Sequence, residues 1–124
     1  METLKINSSK TTFGINTDLE NGILEITGTS YPDNAIDFYM PVLDWVKEFT
    51  ETQNRPLEVI FKVNYYNTSS SKYLFKMLEM LEGYHVKGNV VNVIWHYYDG
   101  EEDMLEAWRE LIDELNLPFQ VEID

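Results

Sequence analysis

No cysteine occurs anywhere in the 124-residue chain. A disulfide framework and a thiolate-held metal are both excluded on that ground. Cationic side chains are scarce: nine Lys and Arg stand against 22 Asp and Glu, a formal net charge of −13. A nucleic-acid binder must neutralise phosphates with cations, and an anionic membrane surface asks for the same, so neither is an expected partner. No run approaches the roughly 18 apolar residues of a membrane span. The opening Met1-Glu2-Thr3-Leu4-Lys5 lacks the basic and apolar regions of a secretory signal. A cytoplasmic protein is expected. Gly-rich phosphate loops, nucleophile elbows and dinucleotide fingerprints are missing as well. His85 and His96 fall on different predicted elements, with no second ligand at metal spacing, so neither a metal nor a cofactor is expected.

What is present points to a packed core. Hydrophobic residues make up 44% of the chain and aromatics 14%, which excludes a disordered chain and suits one domain spanning residues 1–124. A short edge strand is predicted near Phe13–Asn16. Glu20-Asn21-Gly22 reads as a turn, and Ile23–Gly28 as the strand pairing back. Ser30-Tyr31-Pro32-Asp33-Asn34 opens a helix, in which Pro41 predicts a kink near Tyr39-Met40 or a restart. Val42, Trp45, Val46 and Phe49 continue it at helical spacing.

From Leu57 to Tyr66 the pattern has a period of two, with Leu57, Val59, Phe61, Val63 and Tyr65 on one face. This alternation puts Tyr66 on the less covered face. A helix follows, with Leu74, Met77, Leu78, Leu81 and His85 on one side and Gly88 just past its end. Val90–Tyr98 is the next strand, again leaving Tyr98 on the less covered face. The last helix starts at Glu101-Glu102-Asp103 and carries Met104, Leu105, Trp108, Leu111, Ile112 and Leu115. Pro118 stops it, and Phe119, Val121 and Ile123 form a final strand.

The predicted order is β-β-α-β-α-β-α-β. Strands joined through helices imply parallel pairing with right-handed crossovers. Alternating strands argue against a sheet covered on both sides. The expected fold is therefore α/β, two-layered, with a mixed sheet of about five strands and helices mainly on one face.

Chemistry concentrates at Asn67-Thr68-Ser69-Ser70-Ser71, where the long strand hands over to a helix beginning near Ser70. Oxygen-bearing side chains suit this position because they accept hydrogen bonds from the free N–H groups of the first turn. The same place favours a phosphate, which would meet the positive end of the helix dipole and add about −1.5 to −2 charge. Capping and phosphorylation are compatible. Glu101, Glu102 and Asp103 have a sufficient explanation in the dipole of their own helix. A small enzyme or ligand-binding domain with an acidic pocket is the weaker alternative.

Four blocks carry a resemblance: Ser30-Tyr31-Pro32-Asp33-Asn34, Pro41-Val42-Leu43-Asp44-Trp45-Val46, Tyr66-Asn67-Thr68-Ser69-Ser70-Ser71-Lys72 and Trp95-His96-Tyr97. Together with Leu117-Pro118-Phe119 they resemble the SiaC family of bacterial regulatory phosphoproteins, over nearly the whole chain. The resemblance implies a fold like that of anti-sigma-factor antagonists (the STAS type). It also implies a non-enzymatic partner switch, phosphorylated at Thr68 by a dedicated Ser/Thr kinase and reversed by a PP2C-type phosphatase. The unphosphorylated form would bind and activate a diguanylate cyclase, raising cyclic di-GMP and favouring biofilm or aggregation. An anti-sigma factor or another signalling protein is the alternative target. Candidate partner contacts in these blocks are Tyr31, Asn34, Tyr66 and Asn67. Ser69, Ser70, Lys72 and the aromatic Tyr98 complete the set.

Overall fold

The computed structural model describes every residue from Met1 to Asp124. Its elements are β1 (Lys5–Ile6), β2 (Gly14–Asp18), β3 (Ile23–Ser30), α1 (Ala35–Thr52), β4 (Leu57–Tyr66), α2 (Thr68–Val86), β5 (Val91–Tyr97), α3 (Glu102–Ile112) and β6 (Phe119–Ile123). The six strands lie in the sheet in the same order as in the chain. β1, β2 and β3 pair antiparallel, whereas β3, β4, β5 and β6 pair parallel. Each parallel step crosses through one helix. Crossovers of one hand that all advance in one direction place α1, α2 and α3 side by side on a single face. That face holds the core, while Glu25, Ile60, Lys62, Ile94 and His96 line the open one.

The strand beyond the expected five is β1, a pair of residues too short to show any period. It is held by Lys5 opposite Asn16 and Ile6 opposite Ile15.

Several details differ from the sequence expectations, the first three each for a local reason. α1 runs through Pro41 as one helix, with no second start there. Pro41 is exposed, so the Asp37 carbonyl that loses its partner faces water, while buried Tyr39, Val42 and Leu43 hold the chain on both sides. On α2 the core side closes with Tyr84 rather than His85. Tyr84 is 2% exposed, and its hydroxyl accepts from the Arg55 N–H at 2.7 Å, tying α2 to the loop before β4.

The third difference is a bulge in β4. Val63 pairs with Gly28 but Tyr65 pairs with Thr29, so Asn64 is the extra residue. Gly28 stands opposite at φ 95°, a conformation that glycine adopts without a side-chain clash. One inserted residue reverses the alternation beyond it. Asn64 and Tyr65 are both exposed, and Tyr66 turns into the core. The expectation that Tyr66 lies on the open face is thereby corrected.

Under α3 the core is aromatic. Trp95 stacks on Trp108 at 4.8 Å between ring centroids, and Phe61, Tyr66 and Phe119 meet this pair. α3 itself is shorter than the apolar pattern suggests. Leu105, Trp108 and Ile112 are buried, but Met104, Leu111 and Leu115 are only half-buried.

Candidate functional site

The hydroxyl run sits at the start of α2, and Asn67 is the cap. Its backbone is extended (φ −91°, ψ 178°), and its Oδ1 accepts from the Ser70 N–H at 3.0 Å. The Asn67 carbonyl accepts from the Ser71 N–H at 3.0 Å, and the Asn67 N–H donates to the Ser30 carbonyl at 3.0 Å. The helix therefore starts at Thr68, two residues before the predicted position, with its first turn tied to the end of β3.

Beneath this turn lies a buried chain of hydroxyls. Ser70 Oγ donates to the Ser30 carbonyl at 3.1 Å. With its single proton so committed, Ser70 must accept from Ser30 Oγ, 2.7 Å away. Ser30 in turn accepts from the Tyr39 hydroxyl at 2.6 Å. Ser30 and Ser70 have no exposed surface and Tyr39 has 1%. Burial pushes the Tyr39 hydroxyl above its usual pKa, against smaller opposing contributions from Ser30 and Ser70, which keeps it protonated to donate. Tyr39 also stacks on Tyr73 at 5.1 Å. One cluster thus locks β3, α1 and α2 together immediately below Thr68.

The four hydroxyls consequently differ. Thr68 and Ser69 are exposed. Ser70 is fully buried and presents nothing to a partner in this conformation, which corrects its expected role as a partner contact. Ser71 is half-buried, and its Oγ donates to the Thr68 carbonyl at 2.6 Å. Lys72 is exposed one turn along from Thr68.

Around them, Tyr31 and Tyr65 are 44% and 45% exposed and meet edge to face at 6.3 Å. Tyr98, 42% exposed, follows the end of β5. The ends of β3, β4 and β5 thus each leave a tyrosine at the surface, and Tyr65 occupies the place expected for Tyr66. Asn34 caps α1: its Oδ1 accepts from the Asp37 N–H at 3.3 Å and its Nδ2 donates to Asp37 Oδ2 at 2.8 Å.

Thr68 borders a groove of about 430 Å³ between α2 and α3, whose walls include Tyr66, Ser71, Glu110, Leu111 and Glu114. Tyr66 is 6% exposed and its hydroxyl has no hydrogen-bond partner. Burial, with the Glu110 carboxylate adding to it, holds that hydroxyl far above the usual tyrosine range. A larger hollow of about 500 Å³ lies at the other end of α2, lined by solvated side chains of both signs including Lys47, Glu51 and Lys87. Its buried Tyr84 has its hydroxyl already bonded to the Arg55 backbone.

Sequence alone does not single out Glu110 and Glu114, because acidic residues at such positions suit the solvated face of any helix. Ser30 reads there only as part of a helix start. Its contact with Ser70 spans 40 residues, and no local pattern reveals such a pairing.

No three His, Asp or Glu side chains are placed to hold a metal. His96 lies away from the groove, with Nδ1 3.0 Å from Asp124 Oδ1. Neither histidine lines the groove that Thr68 borders. The protein is thus a small mixed α/β domain that presents an exposed hydroxyl on the first residue of a helix anchored to β3.

The model of the SiaC family regulatory phosphoproteins matches residues 6–123, and the chain belongs to that family. An uncharacterized protein of Pseudomonas aeruginosa is 34% identical over 122 residues, covering 98% of this chain and 97% of that protein. The crystal structure of apo-SiaC from the same organism is 34% identical, with a TM-score of 0.91 over 98% of this chain and 99% of that one. A similar match, at 34% identity and a TM-score of 0.93 over 98% of this chain and 99% of that one, comes from the crystal structure of the diguanylate cyclase SiaD in complex with its activator SiaC. No helix of the protein is long and apolar enough to cross a membrane.

Proposed function

We propose that the protein is a non-enzymatic signalling adaptor that, with Thr68 unmodified, binds and activates a diguanylate cyclase in the cytoplasm. A Ser/Thr kinase adds a phosphate at Thr68, and a PP2C-type phosphatase removes it. The observation that carries the output is the likeness, over nearly the full length of both chains, to the structure of an activator with its cyclase. Support for the switch residue is local: Thr68 is exposed at the first position of α2, above the buried, hydrogen-bonded Ser30–Ser70–Tyr39 cluster.

Such a frame suits recognition. A partner docks on a surface already in its bound shape and avoids the cost of ordering it. Tyr31, Tyr65 and Tyr98 supply exposed aromatic area at the ends of β3, β4 and β5, the edge of the sheet from which α2 starts, and aromatics are the side-chain type that dominates interface energetics. Asn34, Asn67, Ser69 and Lys72 are the polar groups at hand around this surface. A phosphate placed there must be desolvated and repels an acidic or apolar partner surface. A loss of about 3 kcal/mol lowers affinity more than a hundredfold.

The test is capture from native lysate on immobilised wild type, Thr68→Ala and protein carrying phosphothreonine at position 68. Captured fractions are supplied with GTP and assayed for cyclic di-GMP. Wild type and Thr68→Ala are expected to retain a cyclase that the phosphorylated protein loses. Equal retention by all three forms would make Thr68 part of a helix start only.

A further inference from the structure

We propose that Glu110 and Glu114 read the state of Thr68: a phosphate there is repelled by both carboxylates across the groove, and α3 is the element that yields. This inference rests on Thr68 as the modified residue and supplies the response inside the protein. The three side chains border one groove, with Glu110 in the last turn of α3 and Glu114 in the turn that follows it. Facing them from α2 are Lys72 and Lys76, with Glu79 a turn beyond. Lys72 lies four residues after Thr68, within reach of a group on it. The free N–H groups of the helix start also attract an anion. Both attractions fix the phosphate to α2, and the Ser30–Ser70–Tyr39 chain prevents the start of α2 from retreating. The repulsion therefore falls on α3.

α3 is built to respond. It spans only Glu102–Ile112, and its cap residue, Glu101, makes no side-chain capping bond. Three buried polar atoms without partners gather around its inner side: the Tyr66 hydroxyl, Trp95 Nε1 and Trp108 Nε1. Loosening α3 would let water reach them, which offsets part of the cost of exposing apolar side chains. The field of Glu110 already reaches the groove, since it contributes to the raised pKa of Tyr66.

Phosphothreonine would be installed at position 68 during synthesis of the full chain, so the result does not depend on any kinase. Hydrogen exchange is then compared with and without the phosphate. In wild type the amides of α3 are expected to exchange at least about fivefold faster when phosphorylated, with α1 unchanged. The acceleration should vanish in E110Q/E114Q and persist in E48Q/E51Q, which removes the same charge from α1, with α2 standing between. In the same samples, phosphorus NMR should show the second pKa of the phosphate falling by about half a unit or more in E110Q/E114Q alone. Unchanged α3 exchange in phosphorylated wild type, or acceleration that survives in E110Q/E114Q, would overturn the inference. Whether a phosphate at Thr68 releases a cyclase is answered separately by the capture experiment, so the two readings fail independently.

Discussion

Among the hydroxyl residues from Thr68 to Ser71, neighbours in sequence have opposite duties. Ser70 has no exposed surface, and its hydroxyl both accepts from Ser30 and donates to the Ser30 carbonyl. Ser70→Ala leaves the Ser30 proton without its acceptor, and an unsatisfied buried group costs about 1–3 kcal/mol. Thr68→Ala and Ser69→Ala remove exposed side chains and should stay within about 0.5 kcal/mol of wild type. Asn67→Ala removes the cap and should cost about 0.5–2 kcal/mol. Urea denaturation of the four variants ranks them directly. A loss at Thr68 as large as that at Ser70 would make its hydroxyl part of the frame and leave less reason to regard it as a free acceptor. Tyr66 reverses the usual expectation for a buried tyrosine. Its hydroxyl has no partner, so Tyr66→Phe removes an unmet polar group and should leave stability unchanged or raised.

Among the elements, those with a long period are legible in the sequence. β4, α2 and β5 announce themselves through alternation or helical spacing, and the single-faced helix layer follows from that alternation, which argues against a sheet covered on both sides. What periodicity conceals is a break within it. Asn64 is an ordinary residue in an ordinary strand pattern, yet as the bulge it exchanges the faces of Tyr65 and Tyr66. Gly28 on the adjacent strand is the available sign, because glycine within a strand often marks such a site. Pro41 misleads for the opposite reason. Its chemistry is plain from the sequence, but its exposure, which decides the consequence, is a tertiary property. It still withholds one hydrogen bond from α1. Pro41→Ala should stabilise the protein by about 1 kcal/mol, less than the ~3 kcal/mol of a helix-interior proline, because the freed carbonyl is hydrated and proline restricts the unfolded chain. A fall in the urea midpoint would instead show that α1 depends on the proline geometry.

At the scale of the whole molecule, the −13 charge and the buried tyrosines act together at high pH. Tyr39 and Tyr66 both have raised pKa values in the folded state, first through burial. In the unfolded chain they ionise near pH 10. Above that pH the unfolded state has released protons that the folded state still holds, so stability must fall as pH rises. The tyrosine contribution is complete below about pH 10 and is lost on the way up to the folded pKa values. Each fully retained proton gives a slope approaching about 1.4 kcal/mol per pH unit. Self-repulsion of an already acidic chain acts in the same direction, but salt screens it. Desolvation of a buried phenol is not screened. Wild type and Tyr66→Phe, unfolded by urea between pH 9 and about 11.5 at low and high salt, separate the two effects. The variant is expected to lose stability less steeply with pH than wild type at both salt concentrations. If high salt makes the two proteins parallel, the alkaline loss belongs to surface charge, and the Tyr66 hydroxyl is in contact with water.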